Sequence, residues 1–348
     1  MFYIHQYSCI SPQETFLKND IETLHASTEN ILHVIEPAYT GFPPGALRRM
    51  GKASRMGMGT AMQVLQNNAK PDGFIVGTAN GGMEESIRFL KQIIEYNEDT
   101  LAPGSFVQST ANAIASQLGM STQNHGYNIT HVHKGLSFEN SVIDVGMLLK
   151  ENPEHSYLLG GVDEIASYNY NIEYAAGCYK KEITSNKELY NVNSSGSIAG
   201  EGAAMFLVNN TVENASAKLC ALATLHTDDK RMVLDWMRSF IEKELPAGET
   251  IDLFLTGDDG DSRHAELFSS CEALVNIDTT IARFKHMCGE YPTASAFALW
   301  LACVLPVNKP LPQHMLSRKG AEQNIKNVLI YNCHQGVQHS FMLVCRAL

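Results

Sequence analysis

Residues 157–164 read YLLGGVDE, an apolar run that ends in two glycines and two carboxylic acids. Three other runs have a similar form: GFIVG at 73–77, IDLFLTG at 251–257 and VLIYN at 328–332. Continuous apolar runs of this length are typical of strands that are buried on both faces of a sheet. They predict the strands of an α/β protein.

Helical patterns lie between these runs. In EESIRFLKQIIEY at 84–96, FENSVIDVGMLL at 138–149 and ASAFALWLACV at 294–304, the apolar residues recur at intervals of three and four. This spacing places them on one face of a helix. Strand and helix alternate in both parts of the chain, which predicts layers of helices against sheets.

The middle of the chain has a different pattern. Residues 203–208 and 218–224 read as two successive strands, and we expect them to form a hairpin. The chain is thereby predicted to consist of two similar halves, 1–210 and 211–348, that form one compact body.

Composition excludes several classes of protein. The 348 residues carry a net charge of −11, and 44% are hydrophobic, which is ample for a buried core. The acidic balance argues against binding to nucleic-acid phosphates or to an anionic membrane surface. No apolar run is long enough for a membrane span, no secretory signal is apparent, and the 8 cysteines form no CxxC pair. We expect a cytoplasmic protein with reduced thiols.

Four motifs in order carry a resemblance to a known family. They are GTANGG at 77–82, YLLGGVDE at 157–164, SGSIAGEGA at 195–203 and KHMCGE at 285–290. Together they resemble the GTGxGG, AGGAE, DGFxxGEGA and KSxTGH stretches of the β-ketoacyl synthases of the thiolase fold. The resemblance covers residues 30–348. It implies an α/β thiolase-like fold, with two duplicated halves that form a five-layer α-β-α-β-α sandwich.

Two further stretches resemble one branch of that family. PPGALRRMGKASRMGMGT at 43–60 and STANAIASQL at 109–118 are similar to segments of chain-length-factor-type subunits. The resemblance implies a homodimer, or a heterodimer with an active β-ketoacyl synthase, in which the strand after the elbow helix pairs across a two-fold axis. It also implies that acyl groups arrive on the phosphopantetheine of an acyl carrier protein and that no other cofactor is needed.

The catalytic positions of the family hold other residues in this chain. The family's TACxSG elbow falls on residues 133–138, which places Gly135 at the nucleophile. Where the family has the histidines of HGTxT and KSxTGH, this chain has Thr256 and Glu290. Decarboxylative condensation needs a thiolate and two imidazoles. The resemblance therefore implies a non-catalytic, chain-length-factor-type partner of an active synthase in fatty acid, polyketide or aryl-polyene-type biosynthesis, although residual catalysis stays open.

Several residues that fall in the implied pocket are still chemically capable. They are His133, Lys285, Cys288, Glu290, Cys333 and His334. If these side chains converge, an alternative is an acyltransferase with a relocated site around Cys288, Glu290 and His334. The other interpretation is that Cys288 is a small buried residue, whose apolar neighbours raise the pKa of its thiol.

A basic cluster stands out against the acidic chain on a predicted helix. Its members are Arg48, Arg49, Lys52 and Arg55. One interpretation is a docking patch for an acidic carrier protein. The other is an ordinary solvated helix face, or an intrachain partner for acids such as Glu84 and Glu85.

Two patterns have the composition of metal sites. His131 and His133 have no nearby Cys or carboxylate ligand set, and the acidic residues Asp258, Asp259 and Asp261 show no EF-hand register. We therefore predict no metal, and a solvated turn for the acidic loop.

Overall fold

The computed structural model describes residues 1–27, 29–40, 44–66, 69–96, 101, 103–305, 310–321 and 325–346. Pro43, which begins the chain-length-factor-like stretch, and the last two residues of the predicted second half lie outside them. The strands are β1 (Phe2–Ile10), β2 (Ile31–Leu32), β3 (Gly73–Gly77), β4 (Tyr127–His131), β5 (Tyr157–Asp163), β6 (Ala199–Gly200), β7 (Gly202–Asn209), β8 (Ala217–His226), β9 (Leu253–Thr256), β10 (Thr280–Arg283), β11 (Leu316–Arg318), β12 (Asn327–His334) and β13 (Gln338–Arg346).

The α-helices are α1 (Pro44–Leu47), α2 (Lys52–Val64), α3 (Met83–Glu95), α4 (Pro103–Gln108), α5 (Ala113–Thr122), α6 (Ser137–Glu151), α7 (Ser167–Ala175), α8 (Lys230–Glu244), α9 (Ala265–Glu272), α10 (Lys285–Cys288) and α11 (Ala294–Val304). Short 3₁₀ turns occur at Lys134–Leu136, Asn186–Glu188 and Gln313–Met315. In the described part of the chain, no helix combines the length and the apolar character that a membrane crossing requires.

The strand order repeats along the main sheet. The first part of the sheet runs β4-β3-β5-β7-β1, and the second runs β10-β9-β12-β13-β8 with β11 added at its edge. If the five strands of each part are numbered in chain order, their order across the sheet is 3-2-4-5-1 in both parts. The repeat is topological, and the boundary at residue 210 remains a prediction.

Helices cover both parts of the sheet in layers. α2 and α5 pack on the outer face of the first part, with Met56 and Ile114 in their core, and α8 and α9 cover the outer face of the second, with Met237 and Phe268 in theirs. α6 and α11 lie between the two parts, in a core that includes Trp300 and side chains from both. This confirms the five-layer α-β-α-β-α arrangement. The two parts join at one edge into an 11-stranded sheet, because β1 pairs with β8.

The predicted hairpin between residues 203–208 and 218–224 is wrong. Both segments are strands, but β1 lies between them and pairs antiparallel with β7 on one side and with β8 on the other. Hydrophobic periodicity predicts strands and does not report a partner this distant in sequence.

The strand that follows the elbow helix does not have a free edge. This strand is β5, and β3 and β7 occupy both of its edges. The end of the sheet is β4, which precedes the elbow and pairs only with β3 among the described strands. Any pairing across a two-fold axis at this end would therefore use β4.

Candidate functional site

The elbow between β4 and α6 is closed by side chains from the end of β12 and the start of β13. Gly135 is buried there, and its backbone N–H donates to Oε1 of Gln338 at 2.8 Å. A β-carbon at position 135 would lie 2.3 Å from Cβ of His334 and 2.5 Å from its Cγ. Position 135 thus has neither a nucleophile nor the space for one.

His334 is the last residue of β12 and is held by a buried charge pair. Its Nδ1 lies 2.8 Å from Oε1 of Glu290, and the other carboxylate oxygen of Glu290 accepts a hydrogen bond from Nζ of Lys285. Lys285 and Glu290 are both buried. Because every group in this chain of contacts has a charged or hydrogen-bonding partner, the arrangement is fixed in place.

The two charges support one another electrostatically. Burial alone raises the pKa of Glu290, but Lys285 and His334 together hold it below its usual value. Burial alone lowers the pKa of Lys285, but the carboxylate of Glu290 raises it above its usual value. Both groups are therefore charged at neutral pH.

The backbone turn at Gly289 places Glu290 next to Lys285 and His334. Gly289, which follows α10, has φ of +75°, a conformation that L side chains rarely adopt. The turn sends Glu290 alongside residues 198–200: its N–H donates to the carbonyl of Ile198 at 2.7 Å, and its carbonyl accepts from Gly200 N at 2.9 Å.

Thr256, at another catalytic position of the family, and Cys288 are both buried away from the cavity beside His334. Thr256 is buried at the end of β9, and its Oγ1 has no hydrogen-bond partner in the described part of the chain. Cys288 is fully buried, its Sγ donates to the carbonyl of Gly289 at 3.3 Å, and burial raises the pKa of its thiol. Neither Thr256 nor Cys288 lines the cavity beside His334.

Two predicted pocket residues point elsewhere. Cys333 belongs to the core under α8 and α9, and burial raises its pKa well above the usual value. His133 is exposed, and its Nδ1 lies 3.0 Å from Nδ2 of Asn140. Of the six predicted pocket residues, the structure thus brings together Lys285, Glu290 and His334.

A cavity of about 230 Å³, lined by polar and charged residues, lies beside Glu290 and His334. Sequence reasoning assigned Glu290 and His334 to the pocket but treated the acidic loop only as a solvated turn. It missed the rest of the wall, which comes from α7, the segment after it, the turn before α9 and the turn between β12 and β13. The residues it missed are Glu173, Cys178, Tyr179, Arg263, His264 and Gln335. No motif marks them, because only the tertiary fold places these segments together.

The acidic loop forms one wall of this cavity. The prediction of a solvated turn is wrong, because Asp258, Asp259 and Asp261 are all buried. Oδ2 of Asp259 lies 3.0 Å from Nδ1 of His264, and Nε of Arg263 donates to both carboxylate oxygens of Asp261 at 2.9 and 3.0 Å. Burial alone lowers the pKa of His264, but its bond with Asp259 raises it above the usual value. Asp259, Asp261 and His264 are close enough to hold a metal ion, yet both carboxylates already have cationic or hydrogen-bonding partners. The absence of a metal remains a prediction.

A protein-family model matches most of the chain. The model for the N-terminal domain of β-ketoacyl synthase matches residues 27–237, which is more than half of the sequence. This chain belongs to the β-ketoacyl synthase family. No curated protein matches the sequence significantly.

Solved structures show that this synthase-family chain has the ketosynthase fold over its whole length. It is similar to the ishigamide ketosynthase/chain length factor, with 12% identity, 99% of this chain and 98% of that chain covered, and a TM-score of 0.76. It is similar to a β-ketoacyl synthase from Burkholderia phymatum STM815, with 13% identity, 99% of both chains covered and a TM-score of 0.75. A ketosynthase in complex with its chain length factor from Xenorhabdus doucetiae matches with 12% identity, 99% and 98% coverage, and a TM-score of 0.74.

The basic cluster of this synthase-family chain consists of two exposed arginines and two cations that pair with acids of the same chain. The predicted helix is interrupted: α1 ends at Leu47 and α2 begins at Lys52. Arg48 and Arg49 therefore lie exposed in the turn between them. Arg55 donates from Nε and Nη2 to the two carboxylate oxygens of Glu36 at 3.0 and 2.9 Å. Lys52 donates to Glu201, which is buried. The intrachain partners of Lys52 and Arg55 are therefore Glu201 and Glu36, and not Glu84 or Glu85.

Proposed function

We propose that this chain is a non-catalytic, chain-length-factor-type partner of an active β-ketoacyl synthase. The pathway is the synthesis of a fatty acid, a polyketide or an aryl-polyene-type product from acyl groups on a carrier protein. The observation that carries the proposal is the contact between Gly135 and His334. Condensation requires a thiolate at this elbow, and a cysteine side chain at position 135 would overlap Cβ of His334.

The open end of the sheet supports a partner subunit. β4 is the terminal strand, and an unpaired edge strand readily accepts a strand from another chain. α5 and α6 flank β4 on its two faces, and each presents an exposed methionine at this end of the sheet: Met120 is 77% exposed and Met147 is 57% exposed. A second subunit of the same fold would pair with β4 and cover both side chains.

Two further helices carry exposed apolar side chains. α3 has no buried residue among those described, and Ile94 on this helix is 78% exposed. Phe106 of α4 is also exposed, and its ring centroid lies 5.7 Å from that of Phe89 on α3. An amphipathic helix with an uncovered apolar face is characteristic of an interaction surface.

Arg48 and Arg49 are the candidates for carrier-protein docking. Both are exposed, whereas Lys52 and Arg55 are engaged by acids of the same chain. An acidic carrier protein would be attracted to the two arginines by complementary charge. In this role the chain works in the cytoplasm together with the synthase and the carrier protein.

Co-purification tests the proposal. The tagged chain is co-expressed with an active β-ketoacyl synthase from the same genome, and the complex is analysed by size-exclusion chromatography with mass detection. We expect one copy of each chain. A tight homodimer that excludes the synthase would contradict the proposed partner.

A pair of variants locates the interface. Met147→Arg places a charge beside β4 and should weaken the complex by about tenfold or more, because an interface core tolerates an unpaired charge poorly. Met232→Arg is the matched control, since Met232 is also an exposed methionine on a helix, α8, but lies on the outer layer of the second part of the sheet. Equal weakening by both variants would contradict an interface at β4.

A further inference from the structure

Two cysteines meet on neighbouring strands far from the elbow. Sγ of Cys220 on β8 and Sγ of Cys345 on β13 are 2.6 Å apart, although the residues are separated by 125 positions in sequence. Both side chains are partly buried, and both pack at the margin of the core under α8 and α9. No other pair of cysteines is in sulfur–sulfur contact in the part of the chain that the structure describes.

The strand register explains why the two thiols face each other. β8 and β13 are antiparallel, with Leu219 opposite Val344 and Ala221 opposite Leu343, so Cys220 is an extra residue on β8. Such a bulge redirects a side chain and increases the local twist. Cys345 pairs with Lys218, which lies two positions before Cys220 and thus on the same face of β8.

We propose that Cys220 and Cys345 form a reversible intrachain disulfide. This modification site is independent of the proposed partner function. The two sulfur atoms need to move by only a fraction of an ångström to reach bonding distance, since an S–S bond is about 2.05 Å long. Both cysteines are partly exposed, so a small oxidant can reach them.

The surroundings favour reaction at Cys220. The hydrogen bond with Cys345 holds the pKa of the Cys220 thiol below its usual value, and the positive charges of Lys218 and the N-terminal ammonium act in the same direction. The same hydrogen bond raises the pKa of Cys345. The N-terminal ammonium donates to the carbonyl of Cys220, and Lys218 lies two positions away on the same strand, so we assign Cys220 as the attacking thiolate and Cys345 as the resolving thiol.

The oxidant we assign is a small-molecule disulfide, such as oxidised glutathione. The thiolate of Cys220 attacks one sulfur, forms a mixed disulfide and releases one glutathione thiolate. Cys345 loses its proton to solvent and attacks the Cys220 sulfur, which releases the second glutathione. The two cysteines lose two electrons and two protons, and one oxidised glutathione becomes two reduced glutathione molecules.

The bond would lie where the two parts of the sheet join. β1 pairs with β8 at Leu219, Lys218 and Ala217, immediately before Cys220, and the N-terminal ammonium donates to the carbonyl of Cys220 at 3.3 Å. A disulfide would tie β8 to β13 beside this seam. We expect oxidation to raise the melting temperature by several degrees, because the bond closes a long loop.

Peptide mapping of the full chain tests this proposal. The folded protein is equilibrated with glutathione buffers of increasing oxidised fraction, alkylated, digested without reduction and analysed by mass spectrometry. We expect a linked peptide pair that contains Cys220 and Cys345, with the remaining cysteines alkylated, and a melting temperature that rises with the oxidised fraction. Persistent glutathione on Cys220 with alkylated Cys345, or two free thiols in fully oxidised buffer, would overturn the proposal.

Serine variants assign the roles of the two thiols. Cys345→Ser should retain glutathione on Cys220, and Cys220→Ser should abolish the linked pair; neither should show the rise in melting temperature. Cys303→Ser is the matched control, because Cys303 is also partly exposed but lies on α11. Loss of the linked pair in Cys303→Ser would also overturn the assignment. If a serine variant fails to fold, the peptide map of the unmodified chain still decides.

Discussion

His334 occupies the space that a side chain at Gly135 would need: a β-carbon on Gly135 would come 2.3 Å from Cβ of His334. Glu290 holds the imidazole in place through Nδ1 at 2.8 Å, and Lys285 neutralises Glu290. The elbow is therefore occupied by a packed, charge-balanced contact between the 3₁₀ turn at Lys134–Leu136 and the end of β12. A cysteine at position 135 alone would therefore not create a reactive elbow, because His334 would also have to move.

The overlap predicts coupling between positions 135 and 334. Gly135→Ala should reduce the free energy of unfolding by about 1–3 kcal/mol, because overpacking forces its neighbours to move. In a His334→Gly background the obstructing β-carbon is absent, and the cost of Gly135→Ala should be smaller by about 1 kcal/mol or more. Urea unfolding of the four proteins measures the coupling.

A control for this cycle comes from α6. A β-carbon on Gly146 would meet only Met1 Cε, at 3.6 Å, which is an ordinary contact. Gly146→Ala should be neutral or stabilising by up to about 1 kcal/mol, because alanine favours helix. Additive effects of Gly135→Ala and His334→Gly would show that the two residues do not compete for space.

Removal of the carboxylate of Glu290 should destabilise the fold strongly. Glu290→Gln leaves the ammonium of Lys285 buried without a counter-charge, and we expect a loss of about 3–5 kcal/mol at pH 7. Asp235→Asn is the control: its partner Arg238 and Asp235 are both exposed, and loss of such a pair should cost less than about 1 kcal/mol.

The cost of Glu290→Gln should depend on pH at both extremes. The folded-state pKa of Glu290 is lowered, so its contribution is complete above the ordinary value of about 4.3 and is lost as pH falls through the folded pKa. The folded-state pKa of Lys285 is raised, so its contribution is complete below about 10.4 and is lost as pH rises through the folded pKa. Chemical unfolding from acid to alkaline pH should show the largest difference from the unmodified chain between these limits; a constant difference would contradict the ion pair.

Local patterns account for the central strands of the fold. GFIVG coincides with β3 because a strand that is buried on both faces has a continuous apolar signature. β1, FYIHQYSCI, interrupts its apolar residues with His5 and Gln6, and the apolar patterns do not predict it. Yet β1 separates β7 from β8, so the missing strand also explains the wrong hairpin.

The residues of the candidate site likewise include some that the sequence predicts and some that it does not. Glu290 can be found by its position in the KHMCGE motif, and the resemblance to the family also assigns His334 to the implied pocket. Cys178 and His264 cannot be found in this way, because they reach the cavity only when α7 and the turn before α9 come together. The Cys220 and Cys345 pair likewise depends on a strand register that no local pattern reports.

The arginines of the basic cluster should separate into docking and structural roles. Arg48→Glu combined with Arg49→Glu should weaken carrier-protein binding to the purified complex, more at low salt than at high salt, with the stability of the chain unchanged. Fluorescence anisotropy with labelled carrier protein measures the affinity. Arg55→Ala should instead lower stability by about 1 kcal/mol or more, because it breaks the two hydrogen bonds to Glu36. Unchanged affinity in the double glutamate variant would exclude this turn as the docking patch.

A contact between the buried His286 and the half-buried His314 should make the fold sensitive to acid. Nε2 of His286 lies 2.9 Å from Nδ1 of His314, and burial lowers the pKa of His286 to about 3. The unfolded chain binds the proton near pH 6.5, so stability is complete above that value and falls as the pH drops toward 3, by up to about 1.4 kcal/mol per pH unit. His286→Asn should reduce the dependence of stability on pH, whereas His125→Asn, at an exposed histidine, should leave it unchanged. Chemical unfolding at several pH values supplies the slopes, and equal slopes in all three proteins would exclude His286 as the origin.

Acyl transfer to the isolated chain is the most direct test of the central claim. The purified protein is incubated with carrier protein that bears an acyl group and with carrier protein that bears a malonyl group, and its intact mass is measured. An active β-ketoacyl synthase is the positive control. A chain whose elbow is closed by His334 should retain its original mass, while the synthase gains the acyl group. A stable acyl adduct on this chain, lost in Cys288→Ala or Cys178→Ala, would contradict the account and show a relocated catalytic site.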